Sequence, residues 1–303
     1  VNPEVDAIHI GLVGLNGRIL AKMRFPTTKA PTPAEVVTMS AAAIPGLLSG
    51  RDPALRVMGV GIAVPGQVRL SDGEVRDATH MGWIDEPLAR MMTDQTGYPT
   101  WAANAANLGM RAESVFGAGR DAEDFIYFIG GSSGIGGGAM TGGRLLIGAT
   151  GYAGEFGHSF VRSDGKACSC GSSGCLEAEV TQADLLHAVG LAPDESDQLG
   201  SRLADSTDPV VRALVGDQLA LLAIAVSSAV NLFNPNMVVL GGFLGDLYRA
   251  GGSDGRALYR RSIKAARDDI RVELAALGSE QLMIGAGELV FSELIADPAG
   301  FLA

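Results

Sequence analysis

GYAGEFGHSFVRSDGKACSCGSSGCLEAEVT (151–181) is the stretch from which this chain can be read. It holds His158, then Cys168-x-Cys170-x4-Cys175. One imidazole and three thiolates make a Cys3His set, the ligand composition of a closed tetrahedral structural zinc site. Gly171 and Gly174 lie among the sulfurs and let the backbone fold tightly round an ion. The chain has 3 cysteines in all. An odd number so closely spaced is a poor disulfide framework, and in a reducing compartment it points to metal ligation. The spacing therefore predicts one structural zinc per chain, held by His158, Cys168, Cys170 and Cys175. Glu155 and Glu177 flank these ligands on both sides and become candidate binding residues.

The rest of the composition describes the host of this loop. The chain has 303 residues, 47% hydrophobic and 19% charged, which suits a large buried core and excludes a disordered chain. Its 42 glycines show no G-X-Y period, so they belong to turns and loops. A net charge of −11 argues against gripping nucleic acid through this segment or binding an anionic membrane, because phosphate contacts need clustered Lys and Arg. The longest apolar stretch, LALLAIAVSSAVNLF (219–233), is shorter than the ~20 residues of a spanning helix and reads as a buried core helix.

Strands and helices alternate along the chain. Residues 7–25 read as a β-hairpin turned by Asn16-Gly17 in a type I′ turn. Thr32-Pro33-Ala34-Glu35 is a capping box opening a helix. VMGVGIAVPG (57–66) reads as a buried strand, LARMMTDQTG (88–97) and NAANLGMRAESVFG (104–117) as helices closed by glycine. Residues 125–148 read as strand, glycine loop, strand, turn, strand. Thr181–Asp184 begins another helix, Asp208-Pro209 opens the long apolar one, and MVVLGG (237–242) is a short central strand. Segments near 256–268 and 286–295 read as helical. The alternation predicts an α/β protein with a mixed sheet in each of two lobes.

Glu155-x-Gly157-His158 followed by Cys168-x-Cys170-Gly171-x-x-Gly174-Cys175-x-Glu177 resembles the signature of the ROK family of repressors, open reading frames and sugar kinases. AVPGQV (63–68), HMGW (80–83), NAANLG (104–109), GIGGG (134–138), NPNMVVLGG (234–242) and IGAGELVF (284–291) follow in that family's order. The resemblance implies an actin-like ATPase (ribonuclease H-like) α/β fold, two lobes around an interlobe cleft that takes a sugar. It implies an N-terminal lobe at 1–103, onto which the C-terminal helix (286–303) packs back. The larger lobe is expected at 104–285, with the zinc loop at about 150–180. It also implies that Asn104, Glu155, His158, Glu177 and Gly66 bind the sugar, with Trp83 lining the cleft and His80 a weaker candidate. Carboxylates and an amide suit a hexose, since they pair with adjacent hydroxyls.

Two positions separate the family's branches. Its kinases carry a catalytic Asp in N-D-A-N, and the matching stretch here is Trp101-Ala102-Ala103-Asn104. Alanine accepts no proton, which removes the general base. The kinases also begin with D-x-G-x-T, a phosphate loop, where this chain has Pro3-Glu4. The resemblance thus implies a transcriptional regulator that senses a sugar or sugar derivative and has lost kinase activity, with no catalytic residue. The alternative is a sugar kinase with a relocated base. The regulator reading further implies a cytoplasmic homodimer, no membrane partner, and DNA contacts only through an N-terminal winged helix-turn-helix outside this chain. The start at Val1 is read as the trace of an upstream segment.

Overall fold

The computed structural model describes residues 1–252 and 254–299. The chain folds as two compact units. The first comprises Val1–Phe116, Ile147–Ala153 and the described residues from Ser279 onward. The second comprises Gly117–Leu146 and Gly154–Gly278.

The first unit begins with β1 (Asn2–Pro3), β2 (Ala7–Val13) and β3 (Ile19–Pro26), an antiparallel sheet in that order. Only Gly17 in the β2–β3 turn has a positive φ (74°), so the turn is not type I′, which needs two such residues. Gly17 N–H donates to Gly14 O and Gly14 N–H to Arg18 O. That is the pattern of a three-residue loop closed by a left-handed glycine. Helix α1 (Pro33–Leu48) starts at the expected capping box: Glu35 N–H donates to Thr32 Oγ1 at 3.3 Å, and Thr32 N–H to the Glu35 carboxylate at 2.7 Å. Strand β4 (Val60–Val64) follows, fully buried. Next come β5 (Gln67–Arg69), β6 (Glu74–Ala78) and β7 (Trp83–Glu86), a small antiparallel sheet. Then α2 (Leu88–Thr96), β8 (Thr100–Asn104, parallel to β4) and α3 (Ala105–Phe116) complete this part.

In the second unit β9 (Phe125–Gly131), β10 (Gly134–Thr141) and β11 (Arg144–Leu145) precede the metal loop. After it come α4 (Leu176–Glu179), α5 (Gln182–Ala188), α6 (Leu199–Asp205) and α7 (Pro209–Phe233). Strand β12 (Met237–Gly242), α8 (Phe243–Ala250), α9 (Arg256–Tyr259), α10 (Lys264–Arg267) and β13 (Arg271–Leu274) finish the unit. The five-stranded sheet has the order β11-β10-β9-β12-β13, antiparallel on one side of β9 and parallel on the other. The glycine run 134–138 lies within β10, paired with β9, and the connecting turn is only Ser132-Ser133. Helix α7 is long and apolar enough to cross a membrane by length and composition. Its Val211, Val215, Leu222, Val226 and Val230 nevertheless lie in the core, and Ser227 Oγ donates to Leu258 O at 3.1 Å inside it.

Helix α11 (Gln281–Ala296) returns to the first unit, starting five residues before the expected 286. Residues 300–303 of that expected helix lie outside the described residues. Its small residues explain the GAG of IGAGELVF. A Cβ on Gly285 would overlap the Leu108 carbonyl of α3, and one on Gly61 of β4 would overlap the Ala286 carbonyl. The Arg111 guanidinium pairs with the half-buried Glu288 carboxylate alongside.

Because the atom facing Gly61 is helix backbone and cannot swing aside, Gly61→Ala should destabilise the first unit by about 1–3 kcal/mol. Urea unfolding of the variant beside the parent chain measures this, and equal midpoints would show that α11 does not seat this closely.

Candidate metal centre and ligand-binding residues

The turn that presents Glu155 and His158 is built by its apolar and glycine members. Phe156–His158 form a single 3-10 turn. Phe156 stacks on Phe128 of β9 at 4.9 Å between ring centroids and meets Phe233 of α7 at 5.6 Å. A Cβ on Gly157 would overlap the Ile135 carbonyl of β10, so only glycine lets the turn lie against the sheet. Phe156 and Gly157 are both buried, and Glu155 and His158 on either side of them are only partly so.

The cysteines come from a compact knuckle. Cys168 N–H donates to Ser172 O, Gly171 N–H to Cys168 O, and Gly174 N–H to Lys166 O. Gly171 and Gly174 take φ of 87° and 73°, the left-handed values the turn needs. Cys175 then caps α4, and Leu176 N–H donates to Ser159 O at 2.9 Å, tying the knuckle to the turn.

The result gathers all four predicted ligands. One ring nitrogen of His158 and the sulfurs of Cys168, Cys170 and Cys175 lie within 4.8 Å of one another. Nδ1 is 3.6 Å from the Cys168 sulfur, and the Cys170 and Cys175 sulfurs are 3.8 Å apart. Tetrahedral zinc with its usual bond lengths would give edges of about 3.6 Å (S to N) and about 3.8 Å (S to S). The three cysteines are free thiols, not disulfides. Burial pushes the Cys168 thiol up to about 12 and raises that of Cys175. The Ser172 N–H lowers that of Cys170. The buried sulfurs of Cys168 and Cys175 stay protonated unless a cation holds them as thiolates, and with exposed Cys170 and His158 beside them the donor set fits a divalent metal ion.

The two glutamates accompany the ligands. Glu177, 8% exposed at its side chain, places Oε1 3.6 Å from His158 Nδ1, where it accepts from the Cys168 thiol at 3.2 Å. The carboxyl of Glu155 is raised by burial and further by Glu177, against the opposing pull of His158. With Nδ1 turned to the sulfurs, Nε2 of His158 is the nitrogen left to a second partner.

Asn104 and Gly66 lie in the first unit and are bonded to each other. Asn104 Nδ2 donates to Gly66 O at 2.9 Å, and its Oδ1 accepts from Asn107 N–H at 3.0 Å. Asn104 therefore starts α3 and holds the turn after β4. Gly66 is a glycine because a Cβ would strike the backbone of Asp77 and Ala78. Trp83, expected in the cleft, is instead a core residue: it is 2% exposed and its indole N–H donates to Pro31 O at 3.0 Å. His80 is exposed on a 3-10 turn. Ala102 is buried in β8, 4% exposed among apolar neighbours.

The ROK family model matches residues 4–293. This chain belongs to the ROK family. Its fold is the actin-like ATPase fold of that family. The proteins this chain is similar to include both glucokinases and xylose repressors. A glucokinase of Halalkalibacterium halodurans is 29% identical over 93% of this chain and 91% of its own. A xylose repressor of Caldicellulosiruptor bescii is 28% identical over 80% of this chain and 64% of its own. The ROK glucokinase of Streptomyces griseus, solved with glucose and AMPPNP, superposes with a TM-score of 0.82. It is 27% identical and covers 96% of this chain and 98% of its own.

Two measurements follow from the geometry. Metal binding must displace protons from the buried thiols, so one equivalent of Zn2+ should stay bound at neutral pH and leave on acidification, with Cys170→Ser binding none; elemental analysis across a pH series checks this. Glu155 has a folded pKa raised above its unfolded value. Its contribution to stability is present at low pH and is lost as pH rises through the folded value, so at pH 7 the ionised carboxylate opposes folding. Glu155→Gln should therefore raise the thermal midpoint at pH 7, and a fall would place the carboxylate in a stabilising contact.

Proposed function

We propose that this chain is the sugar-sensing and dimerisation part of a transcriptional regulator, with phosphoryl transfer lost. The ligand is a sugar or sugar derivative, bound in the second unit through Glu155, His158 and Glu177. The bound metal is a structural zinc that shapes the loop bearing those residues. The protein is a homodimer, and DNA is read by a module outside this chain.

The observation that carries the reading is Ala102. It stands where the kinases of the family resemblance have a catalytic Asp, and its methyl is packed in the core of the first unit. General-base catalysis typically contributes about 10²–10⁴-fold, so its loss leaves little turnover. The N-terminal turn adds support. Pro3 has no N–H to offer a phosphate, and the Glu4 N–H already donates to Ala7 O at 2.8 Å. The glycines of β10 are likewise strand residues paired with β9, not an open loop.

The second reading, an ATP-dependent sugar kinase, is favoured by similarity to glucokinases over nearly their whole length. A coupled assay separates the two. Sugar-dependent ADP formation should stay below about 0.1 s⁻¹, against ~1–10³ s⁻¹ for ordinary enzymes. Faster turnover would establish the kinase. Calorimetry with hexoses, amino sugars and their phosphates should find a ligand binding below millimolar that Glu155→Ala abolishes. If nothing binds and the variant is indistinguishable, the sensor reading is wrong. Ala102→Asp should not restore turnover and should destabilise the fold, because it buries a carboxylate among apolar side chains.

A further inference from the structure

Glu179 has no role in the ligand set, yet it is the most deeply buried carboxylate of the metal loop, with a side chain 2% exposed. Burial of a charge is unfavourable unless partners replace the lost water. Its partners all come from one short segment. Lys166 N–H donates to Oε1 at 2.5 Å, and Arg162 Nη1 lies 3.3 Å from Oε2. Residues 162–166 are the arm of chain that leads into Cys168. Glu179 ends α4 one turn beyond Cys175, on the same side of that helix. It therefore joins the arm entering the first cysteine to the helix that begins at the last one.

The backbone around it is shaped for this contact. A Cβ on Gly165 would strike Glu179 Oε1 and come within 2.6 Å of the Gly174 Cα, so only glycine lets the arm close over the carboxylate. Lys166 is also held at its other ends. Its carbonyl accepts from Gly174 N–H at 2.9 Å, and its ammonium meets Asp184 of α5 at 3.0 Å. Ala167 pairs with Ser173 immediately beyond. The position of Lys166 thus sets the position of Cys168.

We propose that Glu179 is a positioning residue for the metal. It clasps the 162–166 arm to α4, so that the Cys168 sulfur meets Cys170, Cys175 and His158 Nδ1 in one place. This rests on the metal reading above. Without the clasp the arm keeps the exposed Lys166–Asp184 pair, the Val161 and Arg162 N–H bonds to Gly174 O at its start and the knuckle's own backbone, but loses its hold on α4 next to Cys168, which is the ligand that detaches first.

The test is release of Zn2+ from the loaded full chain into a chromogenic chelator, for the parent, Glu179→Ala, Glu179→Gln and Gly165→Ala. Glu179→Ala should weaken Zn2+ binding by about 10–100-fold and speed release accordingly, as loss of an outer-shell partner does. Glu179→Gln keeps an acceptor for the Lys166 N–H and should recover most of the retention. Gly165→Ala, which forces the arm off the carboxylate, should behave like Glu179→Ala. Alkylation followed by mass spectrometry should find Cys168 modified ahead of Cys175 in the Ala variant, an order that general destabilisation would not produce. Release from Glu179→Ala within twofold of the parent overturns the proposal, as does Glu179→Gln releasing as fast as Glu179→Ala. Should Glu179→Ala fail to fold, parent-like retention by Gly165→Ala overturns it alone. A parent chain that holds no Zn2+ fails without any variant, and sinks the metal reading and this proposal together.

Discussion

Three sulfurs and an imidazole within 4.8 Å of one another are the constraint on which the loop depends. The segment 151–181 has few buried apolar side chains: Phe156, Val161, Leu176 and Val180, with Cys168 and Cys175. Ordering a backbone opposes folding by roughly 1–2 kcal/mol per residue, and so short an apolar list does not offset that over such a length. Backbone bonds within the knuckle and the buried Glu179 carboxylate supply part of the difference. An ion bound by the four ligands would add to this, since binding that occurs only in the folded loop is folding free energy. The glutamates proposed to bind ligand are thus held in place by the same cluster to which His158 belongs.

The same economy explains the pattern Glu155-Phe156-Gly157-His158. Two members face inward and are fixed by packing: Phe156 against Phe128 and Phe233, Gly157 against a β10 carbonyl. The other two are thereby held in a half-buried setting where a carboxylate is disfavoured. A group whose ionised form opposes folding at neutral pH is what a binding residue looks like before its partner arrives, because the ligand's hydroxyls would restore the hydrogen bonds that water has lost.

The metal cluster was legible in the sequence because thiols at such spacing have few other uses, and the capping box of α1 because its chemistry is local. The strand-helix alternation was legible for the same local reason. What sequence spacing could not show is what depends on approach in space. Asn16-Gly17 signals a type I′ turn, yet the β2–β3 register selects a longer loop with one left-handed glycine. The run GIGGG reads as part of a glycine loop, yet pairing with β9 and the nearness of Phe156 to Gly137 make it a strand. Trp83 next to Met81-Gly82 suggested a ligand contact, yet its indole bonds a carbonyl from 52 residues away. Glu179 carried no signal at all, since a glutamate beside Glu177 looks solvated until the 162–166 arm folds over it.

Both repressors and glucokinases occur among the proteins similar to this chain, and the placement of the residues suggests why the fold supports either. Glu155, Glu177 and His158, at the cluster that could hold a metal ion, are shaped within the second unit. Ala102, which the proposed function sets at the position of a kinase base, lies on β8 of the first, where side chains alternate between faces of a parallel pair. If that position carries the base, exchanging an aspartate for an alanine there removes proton transfer while the His158–Cys cluster and the β4–β8 pairing stay as they are. A buried methyl at that site is also easier to keep than a carboxylate, which needs a partner to stay charged. On the proposed function, selection for sensing alone would let the base go and keep the residues proposed to hold the sugar, which would account for Ala102 packed in the core of the first unit beside an intact cluster of His158, Cys168, Cys170 and Cys175 in the second.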